Sequence, residues 1–311
     1  MSNVYEIIII GGGIAAHTAA LYNSRANFKP LVISAPEPDQ LSLTTTVENY
    51  PGFPKGILGP ELITNCKEQA KRFGAEYKEG WVDSFKKKGN YYEIGVGKEK
   101  YVTKAVIIST GASARWLDVK NEDKYKGRGV STCASCDAAL FRDEKVIVVG
   151  GGDTAMEETL SLYKFASEII IVHRRNKFRA SKIMQHKVLK LKDKVKFIFD
   201  STVEEVLGDG KAVNGVKIKN VNTGKEDLIK CQGIFLAIGH TPNTKIFADL
   251  IKLDKLGYIK TDKRGKTNLP GVFAAGDVQD AIYRQAITSA ASGCVAAMEA
   301  ERYIEDLKGS E

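Results

Sequence analysis

No apolar run in the chain approaches the ~18 residues that a membrane-spanning helix needs; near the start the longest pure stretch is Ile7 to Ile10. The N-terminus lacks a basic segment followed by an apolar core, the pattern of a secretory leader. Gly309-Ser310-Glu311 spells no address signal. These absences lead to the expectation of a soluble, cytoplasmic protein. Cysteine is scarce, with 5 in 311 residues, and an odd, scattered set does not build the framework of a small secreted domain. Only Cys133 and Cys136 lie close together; Cys66, Cys231 and Cys294 read as small buried hydrophobes. The histidines His17, His173, His186 and His240 show no paired spacing, and no second C-x-x-C exists, so a structural zinc site lacks ligands. A basic motif interleaved with aromatics is also missing. The formal charge of +8 and pI near 9.0 therefore read as a solvated face, with lysines spread over 86–88 and 187–196, and no nucleic-acid partner is expected. Such an excess suits the steering of an acidic protein partner.

Glycine is what the chain has in quantity, 29 residues in a composition that is 43% hydrophobic and 27% charged. The length allows two ordinary domains with separate cores, and no low-complexity segment or long linker intervenes. The start reads as an unalternating apolar strand ending at Ile10, then Gly11-Gly12-Gly13-Ile14-Ala15-Ala16. A run of that kind fits a strand buried on both faces of a parallel sheet. A helix is predicted over 17–25 and a second strand over 30–33. The pattern recurs in the middle: a strand over 145–149, Gly150-Gly151-Gly152-Asp153-Thr154-Ala155, a helix over 156–165 and a strand over 169–172. Further strand-then-glycine segments end at Gly111, Gly239 and Gly276, and the first two are natural places for the chain to cross between domains. A long alanine-rich helix is predicted over 284–307. Strands alternating with helices give an α/β class with mostly parallel sheets.

In the pattern G-x-G-x-x-G/A the first glycine permits a tight turn and the second lets backbone approach a pyrophosphate. The third small residue packs helix on strand, and the helix N-terminus holds the negative charge. Gly11/Gly13/Ala16 and Gly150/Gly152/Ala155 both satisfy it. Each follows a buried-type strand and precedes a helix, so two dinucleotide sites are expected. The end of the following strand separates the ligands, an acid favouring NAD and arginine the 2′-phosphate of NADP. After the second turn stand His173-Arg174-Arg175, with Arg179 beyond, and arginine forks suit a phosphate. NADPH is assigned there. The first turn is followed by Ser34 and Ala35, which leaves its ligand open.

Cys133-Ala134-Ser135-Cys136-Asp137 is either a redox pair or half a zinc site, and the shortage of further ligands favours the redox reading. A helix starting at the pair would lower the thiol pKa toward the reactive range. Asp137 is a candidate proton donor and acceptor for a dithiol that gains and loses protons as electrons move; it also suits a helix start by charge alone.

Taken together, residues 11–20, 40–52, 109–115, 127–137, 150–158, 173–181, 237–243 and 271–291 resemble the low-molecular-weight thioredoxin reductases along nearly the whole chain. The resemblance implies a homodimer whose subunits pair an FAD domain, 1–112 with 242–311, with an inserted NADPH domain, 113–241. It implies that FAD is held by Gly12, Gly13, Ala15, Gln40, Asn49, Val82, Asp277, Arg284, Gln285 and Ala286, and NADPH by Gly152, Thr154, His173, Arg174, Arg175 and Arg179. Cys136 would face the flavin, Cys133 would attack the disulfide of thioredoxin, and Asp137 would serve as acid–base catalyst. In this sequence Pro38-Asp39 and Ala138 stand where relatives usually carry glycines, and both positions are expected to run close to FAD. The alternatives are a reductase of another disulfide carrier, peroxiredoxin-linked or ferredoxin-driven, and a flavin redox sensor without turnover. The intact arginine cluster argues against the ferredoxin form, and a sensor would not need Cys133 and Cys136 beside Asp137.

Overall fold

The computed structural model of the chain describes residues 4–44 and 46–309. It divides into two compact units, residues 1–113 with 241–311 and residues 114–240. The first begins with β1 (Val4–Ile10), α1 (Ile14–Arg25), β2 (Leu31–Ser34), α2 (Gly59–Arg72) and β3 (Glu76–Glu79), followed by β4 (Ser84–Lys88), β5 (Tyr91–Val96) and β6 (Glu99–Ile108). The strands lie in the order β3-β2-β1-β6-β5-β4. β1 runs parallel to both β2 and β6. Alternate isoleucines of β1 serve different cores: Ile7 and Ile9 pack with the helices, Ile8 and Ile10 with Phe85, Tyr92 and Phe247. That two-sided demand is why the run shows no alternation.

The second unit contains β7 (Val130–Ser131), α3 (Ala134–Asp137), β8 (Lys145–Gly150), α4 (Asp153–Leu162), β9 (Glu168–Val172), α5 (Lys182–Leu189) and β10 (Val195–Ile198). The antiparallel strands β11 (Ser201–Gly208), β12 (Val213–Asn220) and β13 (Glu226–Lys230) follow, then β14 (Gly233–Ala237). Its main sheet, in the order β7-β14-β8-β9-β10, is parallel throughout. One face buries Val146, Val148, Ile169, Ile171 and Phe235 under Ala155, Met156 and Leu162 of α4. The other meets Val203, Val206, Val216 and Ile218 of the three-stranded sheet.

The chain then rejoins the first unit through β15 (Val272–Ala274), parallel to β6, and α6 (Ala286–Gly309). α6 lies close against α1. An added Cβ at Gly293 would stand 2.3 Å from the Ala15 carbonyl, and Asn23 Nδ2 donates to the Ala297 carbonyl at 2.9 Å. The buried contact is made of small residues, Ala15, Ala16 and Ala19 of α1 and Gly293, Ala296, Ala297 and Ala300 of α6, because backbones this near leave no room for larger side chains. Helix boundaries differ from expectation. α1 and α4 each begin three residues early, because extended Gly13 and Gly152 cap them, and α4 ends at Leu162 rather than 165. α6 runs from Ala286 to Gly309 rather than over 284–307, its start set by Arg284, whose φ of +48° lies outside the helical region. Among the described residues, no helix is long and apolar enough to cross a membrane.

Candidate functional site

The two glycine turns have the same backbone logic. Gly11 has φ +136°, and an added Cβ would lie 2.2 Å from the Ser109 carbonyl; Gly150 has φ +157°, and its Cβ would lie 2.4 Å from the Ala237 carbonyl. Only glycine satisfies both the torsion and the approach of the neighbouring strand. Gly13 and Gly152 cap α1 and α4 in extended conformation, and among the described residues no side chain caps either helix. An added Cβ at Gly152 meets nothing within 4 Å, and at Gly13 only the Asp39 Cβ at 3.9 Å. Each turn thus leaves first-turn amides without a side-chain partner, facing a space that a side chain would fill. Those are the features a pyrophosphate requires. Ala16 and Ala155 are fully buried where helix meets strand. The residues fit two dinucleotides.

Around the first turn, Gly276 approaches Ala15, its added Cβ falling 3.0 Å from the alanine methyl, which places Asp277 beside the turn. Burial pushes the Asp277 carboxyl up, and Ser289 Oγ donates to it at 2.8 Å. Asn49 Nδ2 donates to Gln285 Oε1 at 3.2 Å. Asp280 accepts from the backbone of Ile282, Tyr283 and Arg284 and so shapes the loop before Ala286. Gln40 is exposed, and Val82 packs on the core beneath the sheet. Asp39 builds its own turn, accepting from Leu41 N at 2.9 Å, Ser42 N at 3.3 Å and Ser42 Oγ at 2.6 Å. Sequence reasoning missed His17. Its ring bonds the Gly12 backbone, and Nδ1 lies 3.1 Å from the Tyr77 hydroxyl. Burial foremost, then Lys67, brings the ring down to about 4.

At the second turn the His173 ring lies on Gly151, where an added Cβ would fall 2.3 Å from Nδ1. Its buried Nε2 has no hydrogen-bond partner among the described residues. Burial lowers its pKa, and Arg175, Arg174 and Arg179 lower it further. The amides of Arg179 and Ala180 donate to the Gly151 carbonyl at 2.7 and 3.0 Å, and Ser181 N donates to Asp153 Oδ1 at 2.9 Å. The arginine-bearing segment is therefore stapled to the turn, with the side chains of Arg174, Arg175 and Arg179 exposed. Thr154 stands in the first turn of α4.

Cys133 and Cys136 form a disulfide, with Cα atoms 5.3 Å apart. Cys133 caps α3, and its carbonyl accepts from the amides of Cys136 and Asp137. Ser131, also missed from sequence, ties the turn together. Its Oγ accepts from Cys133 N at 3.1 Å and donates to Asp137 Oδ2 at 2.6 Å. Burial pushes Asp137 up, and the Ser131 bond partly offsets this. Ser135 Oγ lies 3.2 Å from Cys133 Sγ. Glu158, reaching over from α4, accepts from Ala134 N. Ala138 has φ −57° and ψ −33°, right-handed helical values that any residue adopts, and its methyl packs in the core. Of the remaining cysteines only Cys231 is buried, with its thiol pushed up to about 12 by burial. Cys66 and Cys294 are half-buried, against the expectation of buried residues. Among the described residues, no group of three or more His, Cys, Asp or Glu is arranged to hold a metal ion.

Residues 5–293 match the pyridine nucleotide-disulphide oxidoreductase family. The chain is 45% identical over 304 residues to a thioredoxin reductase of Rickettsia typhi, covering 96% of this chain and 98% of that protein. It is 47% identical over 311 residues to one from Streptomyces coelicolor, covering 99% and 96%. Among solved structures, thioredoxin reductase from Streptococcus pyogenes gives a TM-score of 0.94 at 40% identity, covering 98% of this chain and 100% of that one. The thioredoxin reductase from Giardia duodenalis gives 0.92 at 42% identity, with the same coverage.

Proposed function

The chain belongs to the pyridine nucleotide-disulphide oxidoreductase family, and on that premise we propose that it reduces the disulfide of thioredoxin with electrons from NADPH. The cofactors of the family are FAD and NADPH. The observation that carries the proposal is the oxidised Cys133–Cys136 pair at the head of a short helix, with a carboxyl held beside it by Ser131. This pair shares its unit with the arginine-flanked glycine turn.

In this reading residues 1–112 and 242–311 form the FAD domain and residues 113–241 the NADPH domain. Gly12, Gly13 and Ala15 present the α1 amides to the FAD pyrophosphate. Gln40, Asn49, Val82, Asp277, Arg284, Gln285 and Ala286 complete that site. Gly152 and Thr154 do the same for NADPH, with the 2′-phosphate on Arg174, Arg175 and Arg179 and the ribose near His173. When bound, FAD supplies an acceptor for the hydride of NADPH and a two-electron donor for the disulfide. Once the pair is reduced, the Cys133 thiolate attacks the disulfide of thioredoxin and releases one thiolate. Cys136 then attacks the Cys133 side of the mixed disulfide, releasing the second and restoring the Cys133–Cys136 bond. Asp137, held above the usual carboxylate range by burial, delivers and recovers the proton these exchanges require. A cytoplasmic homodimer acting on a protein partner, with no membrane or nucleic acid involved, completes the proposal.

The test is NADPH oxidation by the FAD-loaded protein with thioredoxins from several sources. Turnover that appears only with thioredoxin supports the reading. NADPH consumption that no thioredoxin stimulates overturns it. Cys133→Ser is expected to abolish thioredoxin reduction while NADPH still bleaches the flavin; loss of bleaching as well would refute the role given to Cys133.

A further inference from the structure

Glu158 is a carboxylate that a different element brings to the head of the cysteine turn. It projects from α4 (Asp153–Leu162), whose Ala155, Met156, Thr159 and Leu162 are buried, so its backbone is fixed by packing on both sides. Its Oε2 accepts from Ala134 N, one peptide bond from Cys133, the residue that caps α3. Amides at a helix start have no intrahelical acceptor, and they are the groups that stabilise a thiolate there. At this turn the first such amide is instead engaged by a negative charge. Asp137, on α3 itself, is the other carboxylate at the turn and is tied to Ser131.

We propose that Glu158 is a positioning residue that grips the Cys133–Cys136 turn and whose charge opposes the Cys133 thiolate, keeping the reduced pair strongly reducing. The inference rests on the redox role proposed above for that pair. A stabilised thiolate favours the reduced form, raises the reduction potential and makes a dithiol an oxidant. A carboxylate at the same amide acts in the opposite sense, so that two electrons and two protons remain readily given up to an acceptor disulfide.

Glu158→Gln keeps an acceptor for Ala134 N and removes the charge; Glu158→Ala removes both. In Glu158→Gln the alkylation rate of the reduced pair by iodoacetamide should rise about threefold to tenfold at mildly acidic pH, because more Cys133 is thiolate. Its equilibrium with reduced and oxidised glutathione should move about tenfold toward the dithiol, or about 30 mV. Glu158→Ala should show the same shifts and, in addition, slower disulfide turnover that the glutamine variant restores. Unchanged alkylation and glutathione equilibrium in a folded Glu158→Gln protein would overturn the proposal, as would shifts of opposite sign. Both measurements use this chain alone with small-molecule thiols. They therefore report on Glu158 even where thioredoxin proves not to be the partner.

Discussion

At Gly11 and at Gly150 an added Cβ would meet a carbonyl of the adjoining strand, Ser109 at 2.2 Å and Ala237 at 2.4 Å, yet the groups stacked over the two turns differ. Over the first turn, Gly12 sits against Ser34, the uncharged end of β2. Over the second, Gly151 sits against the ring of His173, the start of an arginine-rich segment. The capacity to bind a pyrophosphate is therefore a property of backbone that both units share. In the proposed reading, the choice of nucleotide rests on side chains at the end of the next strand. The largest expected effects test the shared part. Gly11→Ala and Gly150→Ala force a methyl into a backbone carbonyl at a torsion that alanine avoids. Each should cost more than about 4 kcal/mol. Thermal melts should show both, with flavin retention lost first in Gly11→Ala and NADPH binding lost first in Gly150→Ala. Equal loss of both ligands in either variant would break the comparison.

Each turn also has a buried histidine whose ring is kept neutral, and they differ in depth. His17 is 2% exposed, and its pKa is lowered from 6.5 to about 4 by burial and by Lys67 and Lys71. A group whose folded value is depressed in this way binds fewer protons folded than unfolded between those limits. Its contribution is thus intact above about pH 6.5 and is lost as the pH falls toward about 4, by about 3 kcal/mol in total. The difference in stability between wild type and His17→Gln, measured by denaturant unfolding, should close over that interval. A difference that does not vary with pH would show that the ring is not held neutral. His173 is shifted in the same direction, so destabilisation on acidification has the same sign in both units.

A smaller effect sharpens the nucleotide assignment. Arg174 and Arg175 are exposed, and a hydrogen bond to a charged group contributes about 1.5–3 kcal/mol. Arg174→Gln should therefore lower kcat/KM for NADPH by about tenfold to hundredfold and leave the value for NADH nearly unchanged, as steady-state kinetics with both nucleotides will show. An equal fall for both would mean that the arginine does not read the 2′-phosphate.

Much of this was legible in the sequence, for reasons that differ by residue. The parallel sheets announced themselves because β1 and β8 are buried on both faces, which demands unbroken apolar runs. The glycine turns and the cysteine pair were legible because their chemistry is local, set by neighbours within a few positions, and the proposal for the arginines rests on the same locality. β6 was read only from its last residues. Its first half, with Glu99 and Lys100, pairs with β5 on the side away from β1 and carries no unbroken apolar run. Ser131, Glu158 and His17 were not legible as site residues. Ser131 acts through hydroxyl geometry within a turn, Glu158 reaches across from another helix, and His17 depends on Tyr77, 60 residues away. No spacing rule encodes such contacts.

The least effect is expected where this chain departs from the usual glycine after the cysteine motif, and it is the departure that separates packing from chemistry. Ala138 is 4% exposed, and its methyl lies among Ala134, Val146 and Phe235 in the core of the second unit. Its torsions need no glycine, so restoring one gains no conformational relief. Ala138→Gly removes a buried methyl, worth about 0.8 kcal/mol, and adds backbone freedom to the unfolded chain, worth about 0.5–1 kcal/mol in a helix. The sum is a destabilisation of about 1–2 kcal/mol and a melting temperature lowered by a few degrees. Turnover and flavin retention should stay as in the wild type, since the turn that presents Cys133 is held by Ser131 and Glu158 rather than by residue 138. A faster or more firmly flavinated Ala138→Gly enzyme would show instead that the methyl obstructs the flavin. The alanine would then be a brake on activity, and the helical turn at 138 would be shaped by the methyl rather than merely compatible with it.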